Sequence, residues 1–94
     1  MSDLISKARE TDFENTESVA RSVQDISEYW NRQKKKISMS VSYNGIDKVD
    51  DSISVLNAAF SEKNRSEYGK ALSMLAEAAE KIARLERISI ENIL

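Results

Sequence analysis

Three carboxylate pairs, Asp47/Asp50, Asp47/Asp51 and Glu77/Glu80, are spaced by three or four residues, so on helices each pair shares a face. Paired carboxylates are the raw material of acid/base catalysis and of divalent-cation binding. The composition weighs against both uses. The chain contains no His and no Cys, which removes the commonest general base, the commonest nitrogen ligand and any thiolate nucleophile or metal ligand. A di-metal site in a helical bundle combines Glu with Glu-x-x-His pairs. A carboxylate-only site needs a concave pocket that 94 residues have little material to build. The expectation is a protein that is not an enzyme and that carries no catalytic residues, no metal and no cofactor.

Four cations, Arg32, Lys34, Lys35 and Lys36, fall within one and a half helical turns. Such a patch could grip nucleic-acid phosphates or anionic lipid headgroups. It lacks interleaved aromatics and glycines, the whole chain carries a net charge of −2, and Asp47, Asp50 and Asp51 follow closely. A solvated, charge-balanced helix face is therefore the favoured reading, with nucleic-acid binding a lesser alternative. Trp30 could be an exposed anchor for a partner, but it sits on the apolar spacing of its segment. That points instead to the core or to an oligomer interface.

The elements that position these groups follow from composition and period. With two Gly, no Pro, 40% apolar and 32% charged residues in 94, the chain reads as one all-α domain spanning 1–94. Phe13, Val19, Val23, Ile26, Trp30 and Ile37 recur at helical steps and predict a helix over 13–43, with Asp12 as its cap. Ile46, Val49, Ile53, Leu56 and Phe60 predict a second helix over 46–61. Tyr68, Leu72, Leu75, Ala79 and Ile82, backed by Ala71, Ala78 and Leu85, predict a third over 65–87. Asn64 and Glu67 have the spacing of a capping box, so a tight turn near Lys63 joins the last two helices antiparallel.

The joint at Asn44-Gly45 is open: it ends a helix, or it lies inside one continuous rod running from Phe13 to Phe60. Ile37, Met39, Val41 and Tyr43 alternate with serines in strand fashion, yet no partner strand is available, and helix is preferred. Residues 1–11 form a short or partly ordered lead-in. At the other end, Ser89 is placed to cap a last short turn that folds Ile90, Ile93 and Leu94 onto the bundle, a small antiparallel array of three main helices. No apolar run exceeds three residues, whereas a membrane span needs about twenty.

The ending Glu86-Arg87-Ile88-Ser89-Ile90-Glu91-Asn92-Ile93-Leu94 resembles the E-x-x-S-x-x-N-I-L terminus of a family of short proteins from Gram-positive, spore-forming bacteria, described as a domain of unknown function. Asp12-Phe13, Trp30 followed by Lys34 to Lys36, and Ile46-Asp47 resemble its landmarks in the same order. The likeness covers roughly Asp12 to Leu94. It implies an N-terminal membrane anchor followed by a helical domain outside the cytoplasm, with Met1 lying after the point where the anchor ends. Many members carry a His-Glu-rich stretch before the Ile-Asp pair. Here those positions read Tyr43-Asn44-Gly45, so no metal or acid/base role is implied for this chain.

Helix lengths suggest self-association. At 1.5 Å per residue the helix over 13–43 spans about 46 Å and the one over 65–87 about 34 Å, leaving Phe13, Val19, Val23 and Trp30 without cover except from Leu4, Ile5 and Ala8. A homo-oligomer or protein partner is expected to bury them. The function expected is a helical interaction or scaffold module, extracytoplasmic and membrane-anchored through the implied anchor. The alternative is a cytosolic adaptor that never meets a membrane.

Overall fold

A computed structural model of the chain describes the backbone of residues 1–37 and 43–93, and side chains within residues 1–36 and 45–84. Four α-helices follow one another: α1 (Ser2–Glu10), α2 (Thr16–Ile37), α3 (Tyr43–Ser61) and α4 (Arg65–Ile93), with no strand among the described residues. The expected lead-in is thus a helix. Ile5 and Ala8 are buried on its inner face, and Asp3 in the first turn with Lys7 and Arg9 in the last suits the helix dipole. Thr11 closes it by donating both its backbone N–H and its Oγ1–H to the Lys7 carbonyl, at 3.1 and 2.7 Å.

The second helix starts at Thr16 rather than Phe13 because Asp12 spends its side chain in a turn. Its Oδ1 accepts the Glu14 N–H at 3.1 Å, and the cap falls to Asn15, whose Oδ1 accepts the Ser18 N–H at 3.3 Å. The helix ends at Ile37 rather than 43, and α3 already begins at Tyr43. Asn44 and Gly45 therefore lie in the first turn of α3, neither terminating a helix nor interrupting a rod. Residues 38–42, which carry most of the strand-like alternation, lie outside the described residues. The continuous rod is ruled out by distance: Trp30 and Asp50 would be about 30 Å apart along one helix, yet their side chains meet at 2.7 Å.

The turn at Lys63 forms as expected. Lys63 takes the left-handed conformation with φ 55°, and Asn64 N–H reaches the Ala59 carbonyl while Lys63 N–H reaches that of Phe60, at 2.9 and 3.1 Å. This is a Schellman closure. Asn64 then caps α4 by accepting the Glu67 N–H at 3.1 Å. Its own N–H is already used, so Glu67 does not complete the box and instead faces Lys70 at 3.5 Å. The separate C-terminal turn does not exist: α4 runs unbroken through Ser89 to Ile93. Whether Ile90, Ile93 and Leu94 fold back falls outside the described side chains.

The helices form a ring in which α1 and α3 each neighbour both α2 and α4, within an envelope of 47 × 20 × 19 Å. The long axis is set by α4, about 43 Å for its 29 residues. Val19, Val23, Ile26 and Trp30 of α2, Ile46, Val49, Ile53 and Leu56 of α3, and Tyr68, Leu72, Leu75 and Ile82 of α4 make one core with Ile5 and Ala8. The stripe expected to need a second chain is therefore covered within this one. Val19 is fully buried, and Trp30 is only 4% exposed. Phe13 packs its ring 5.1 Å from that of Tyr68, at 56°. The cover comes from α1 and from α3 and α4, whose Leu56, Tyr68 and Leu72 belong to the same core.

Candidate functional site

A groove of about 510 Å³ opens where α1, α2 and α4 meet, lined by Ile5 and Ser6, by Tyr29, Trp30 and Gln33, and by Ala79, Ile82 and Ala83 among others. The helices that border it differ in length. Nine residues make about 13 Å of helix, against about 33 Å for α2 and about 43 Å for α4. Met1, at the start of α1, lines the groove beside Tyr29 and Ala83. Alongside, α2 continues to Ile37 and α4 to Ile93. The groove thus runs along the flank of α1, from Met1 to Arg9, where that helix meets α2 and α4. Its α4 wall is built of Ala76, Ala79 and Ala83, small side chains at helical steps that permit close approach of another backbone, while Tyr29 and Trp30 supply aromatic surface. Its size matches that of ordinary ligand pockets.

Behind this wall, Trp30 is held by Asp50 of α3. The indole N–H donates to Asp50 Oδ1 at 2.7 Å, and Lys34 Nζ donates to the other oxygen at 2.9 Å. One carboxylate therefore ties two successive turns of α2 to α3. It also breaks up the basic run: Lys34 is neutralised, Arg32 lies in a depression with Asp3, Asp25 and Glu28, and Lys35 and Lys36 remain as exposed cations. The four cations do not form one surface of a single sign.

The expected carboxylate pairs are likewise dispersed. Asp50 is committed to Trp30 and Lys34, Glu77 faces Lys81 at 3.7 Å, and Glu80 faces Arg84 at 3.9 Å. Among the described residues no three potential metal-ligating side chains come together. Tyr68 carries the one buried side-chain polar atom without a hydrogen-bond partner among the described residues. Burial raises its phenol above the ordinary value of 10.0, which keeps it a neutral donor.

The groove itself escaped sequence reading because it depends on α1. The only trace of that helix is the spacing of Leu4, Ile5 and Ala8, barely one turn of pattern. Over residues 1–93 the chain matches the family model described as a domain of unknown function, DUF4363. The match includes α1, which the likeness over 12–94 left out. No curated protein and no solved structure matches the chain. Among the described residues no helix is long and apolar enough to cross a membrane.

Proposed function

We propose that this chain, which belongs to the DUF4363 family, is a non-enzymatic interaction module whose groove between α1, α2 and α4 receives an α-helix of a protein partner. The observation that carries this reading is the groove of about 510 Å³ between α1, α2 and α4, whose α4 wall presents the small side chains of Ala76, Ala79 and Ala83. The occupant is a helix with a small or apolar face, because Ala79 and Ala83 favour close approach and the half-buried Tyr29 offers aromatic contact. Photo-crosslinkers placed at Gln33 and Ala83 in the native host are expected to trap a partner that is not trapped from Ser54, which is exposed on α3. Filling the berth with Ala79→Leu should abolish the adduct without unfolding the chain. Equal trapping from Ser54, or trapping unaffected by Ala79→Leu, refutes the reading.

The same module is proposed to work outside the cytoplasm, behind an N-terminal membrane anchor in its parent protein, as the resemblance at Trp30 and at Glu86 to Leu94 implies. Protease added to intact protoplasts should then digest the domain. Survival until lysis would place it in the cytosol.

A further inference from the structure

The surface that the groove offers is small and polar rather than greasy: Ala76, Ala79 and Ala83 on one side, Ser6, Gln33 and the half-buried Tyr29 on the others. The exposed large hydrophobics among the described residues, Val55 and Met74, do not line it. A helix with bulky apolar knobs would find no holes here, whereas a helix with a narrow seam of small residues fits. Such a seam lies on α4 itself. Gly69, Ser73, Ala76, Glu80 and Ala83 follow one another at steps of four and three, the spacing of one straight stripe. Gly69 weakens the interior of its helix, yet packing within the chain does not demand it, since a Cβ there would meet nothing within 4 Å. Building on the proposal that the groove receives a helix, we infer that the occupant is α4 of a second copy of this chain, packed antiparallel about a twofold axis near Ala76.

Charge fixes direction and register. Two charged side chains line the groove, Arg9 and Glu80. Arg9 lies at the level of Ser73, its Nη2 3.5 Å from the Ser73 Oγ, and Ser73 stands two turns, about 10 Å, before Glu80 on the same stripe. A parallel second α4 would set like charge against like. Turned antiparallel, with the axis midway between Ser73 and Glu80, Arg9 of each copy stands opposite Glu80 of the other, and the contact is made twice. That midpoint falls beside Ala76, and Gly69 then comes opposite Ala83 of the second copy, so small side chains meet where the backbones come closest. Glu77, next to the axis, already faces Lys81 at 3.7 Å. Arg9 has no ion pair among the described residues. Glu10, adjacent to it in sequence, is turned one helical step away and does not line the groove. Glu80 faces Arg84 at 3.9 Å, both side chains more than half exposed, a contact easily exchanged for one between chains. Complementary charge of this kind sets orientation more than affinity, so the dimer is a weak one.

Sedimentation velocity of the full chain over a rising concentration series should show a monomer–dimer equilibrium. Arg9→Glu and Glu80→Arg should each weaken dimerisation about tenfold, because each change sets two like pairs across the axis. Mixed one to one, the two variants should associate again, since the reversed charges then face each other between chains. No contact within one chain can produce that recovery. Ala76→Cys, in a chain with no cysteine of its own, should oxidise to a covalent dimer much faster than Ser54→Cys on the exposed face of α3. The inference falls if the parent stays monomeric throughout the series, if the charge reversals leave association unchanged, or if the mixture behaves like the separate variants. A monomeric parent whose Gln33 and Ala83 crosslinkers still trap a different protein overturns the second copy as occupant and leaves the groove as a helix-binding site.

Discussion

Replacing Asp50 with alanine removes at one stroke the acceptor of the Trp30 indole N–H and the counter-ion of Lys34. The two losses differ in size. Trp30 is 4% exposed, so its N–H has no water to turn to, and an orphaned buried donor costs about 1–3 kcal/mol. The ion pair is over a third exposed on both sides and contributes about 0–1 kcal/mol. Together they predict a loss of about 1–4 kcal/mol out of a total of about 5–15. At about 4–8 °C per kcal/mol for a domain of this size, the midpoint should fall by roughly 4–30 °C. Asp50→Asn keeps a neutral acceptor for the indole and should cost less than half as much. Thermal melts of both variants, with Trp30→Phe and the double variant to close a cycle, measure the coupling directly. If Asp50→Ala and Asp50→Asn melt alike, or the coupling is near zero, the indole bond contributes nothing and the reasoning fails.

Other expectations concern single sites. Lys63→Gly should stabilise by about 1 kcal/mol, since a lysine at φ 55° is strained where glycine is not; Asn64→Ala should cost about 0.5–2 kcal/mol through the lost α4 cap, both read from denaturant midpoints. Tyr68→Phe, which deletes an unsatisfied hydroxyl, should leave stability unchanged or raised at pH 7. With the folded phenol pKa above its unfolded value, the contribution of Tyr68 is intact below about pH 10 and lost as pH rises toward the folded pKa, so the parent should weaken more steeply than the Phe variant in alkaline melts. Gly69→Ala should stabilise by about 0.5–1 kcal/mol, because the helix gains propensity and the new methyl meets no atom. In hydrogen exchange, the amides of α1 should be the least protected of the four helices.

What the sequence revealed and what it concealed divide along one physical line. Burial against any neighbour imposes a period near 3.6, so Val19, Val23, Ile26, Val49, Leu56, Leu72 and Leu75 announce their inward faces without regard to what covers them. The Asn64 cap is equally local, and it forms where its spacing placed it. Periodicity is blind to direction, however. The phase of the apolar positions runs smoothly from Trp30 to Val49, and both a rod and a reversal satisfy it. What decides between them is a contact between residues twenty positions apart, Trp30 with Asp50, and neither residue's type betrays it.

The same blindness hid α1. A nine-residue helix is too short to persist on propensity alone, so Ser2 to Glu10 is helical because Ile5 and Ala8 dock against α2 and α4. Read as a short lead-in, Leu4, Ile5 and Ala8 look like too little cover for Val19, Val23 and Trp30, and a second chain is expected to bury them. The helix that covers them also forms one wall of the groove where binding is proposed. The candidate site thus rests on the shortest of the four helices. A partner bound there would stabilise α1 as much as fill the groove.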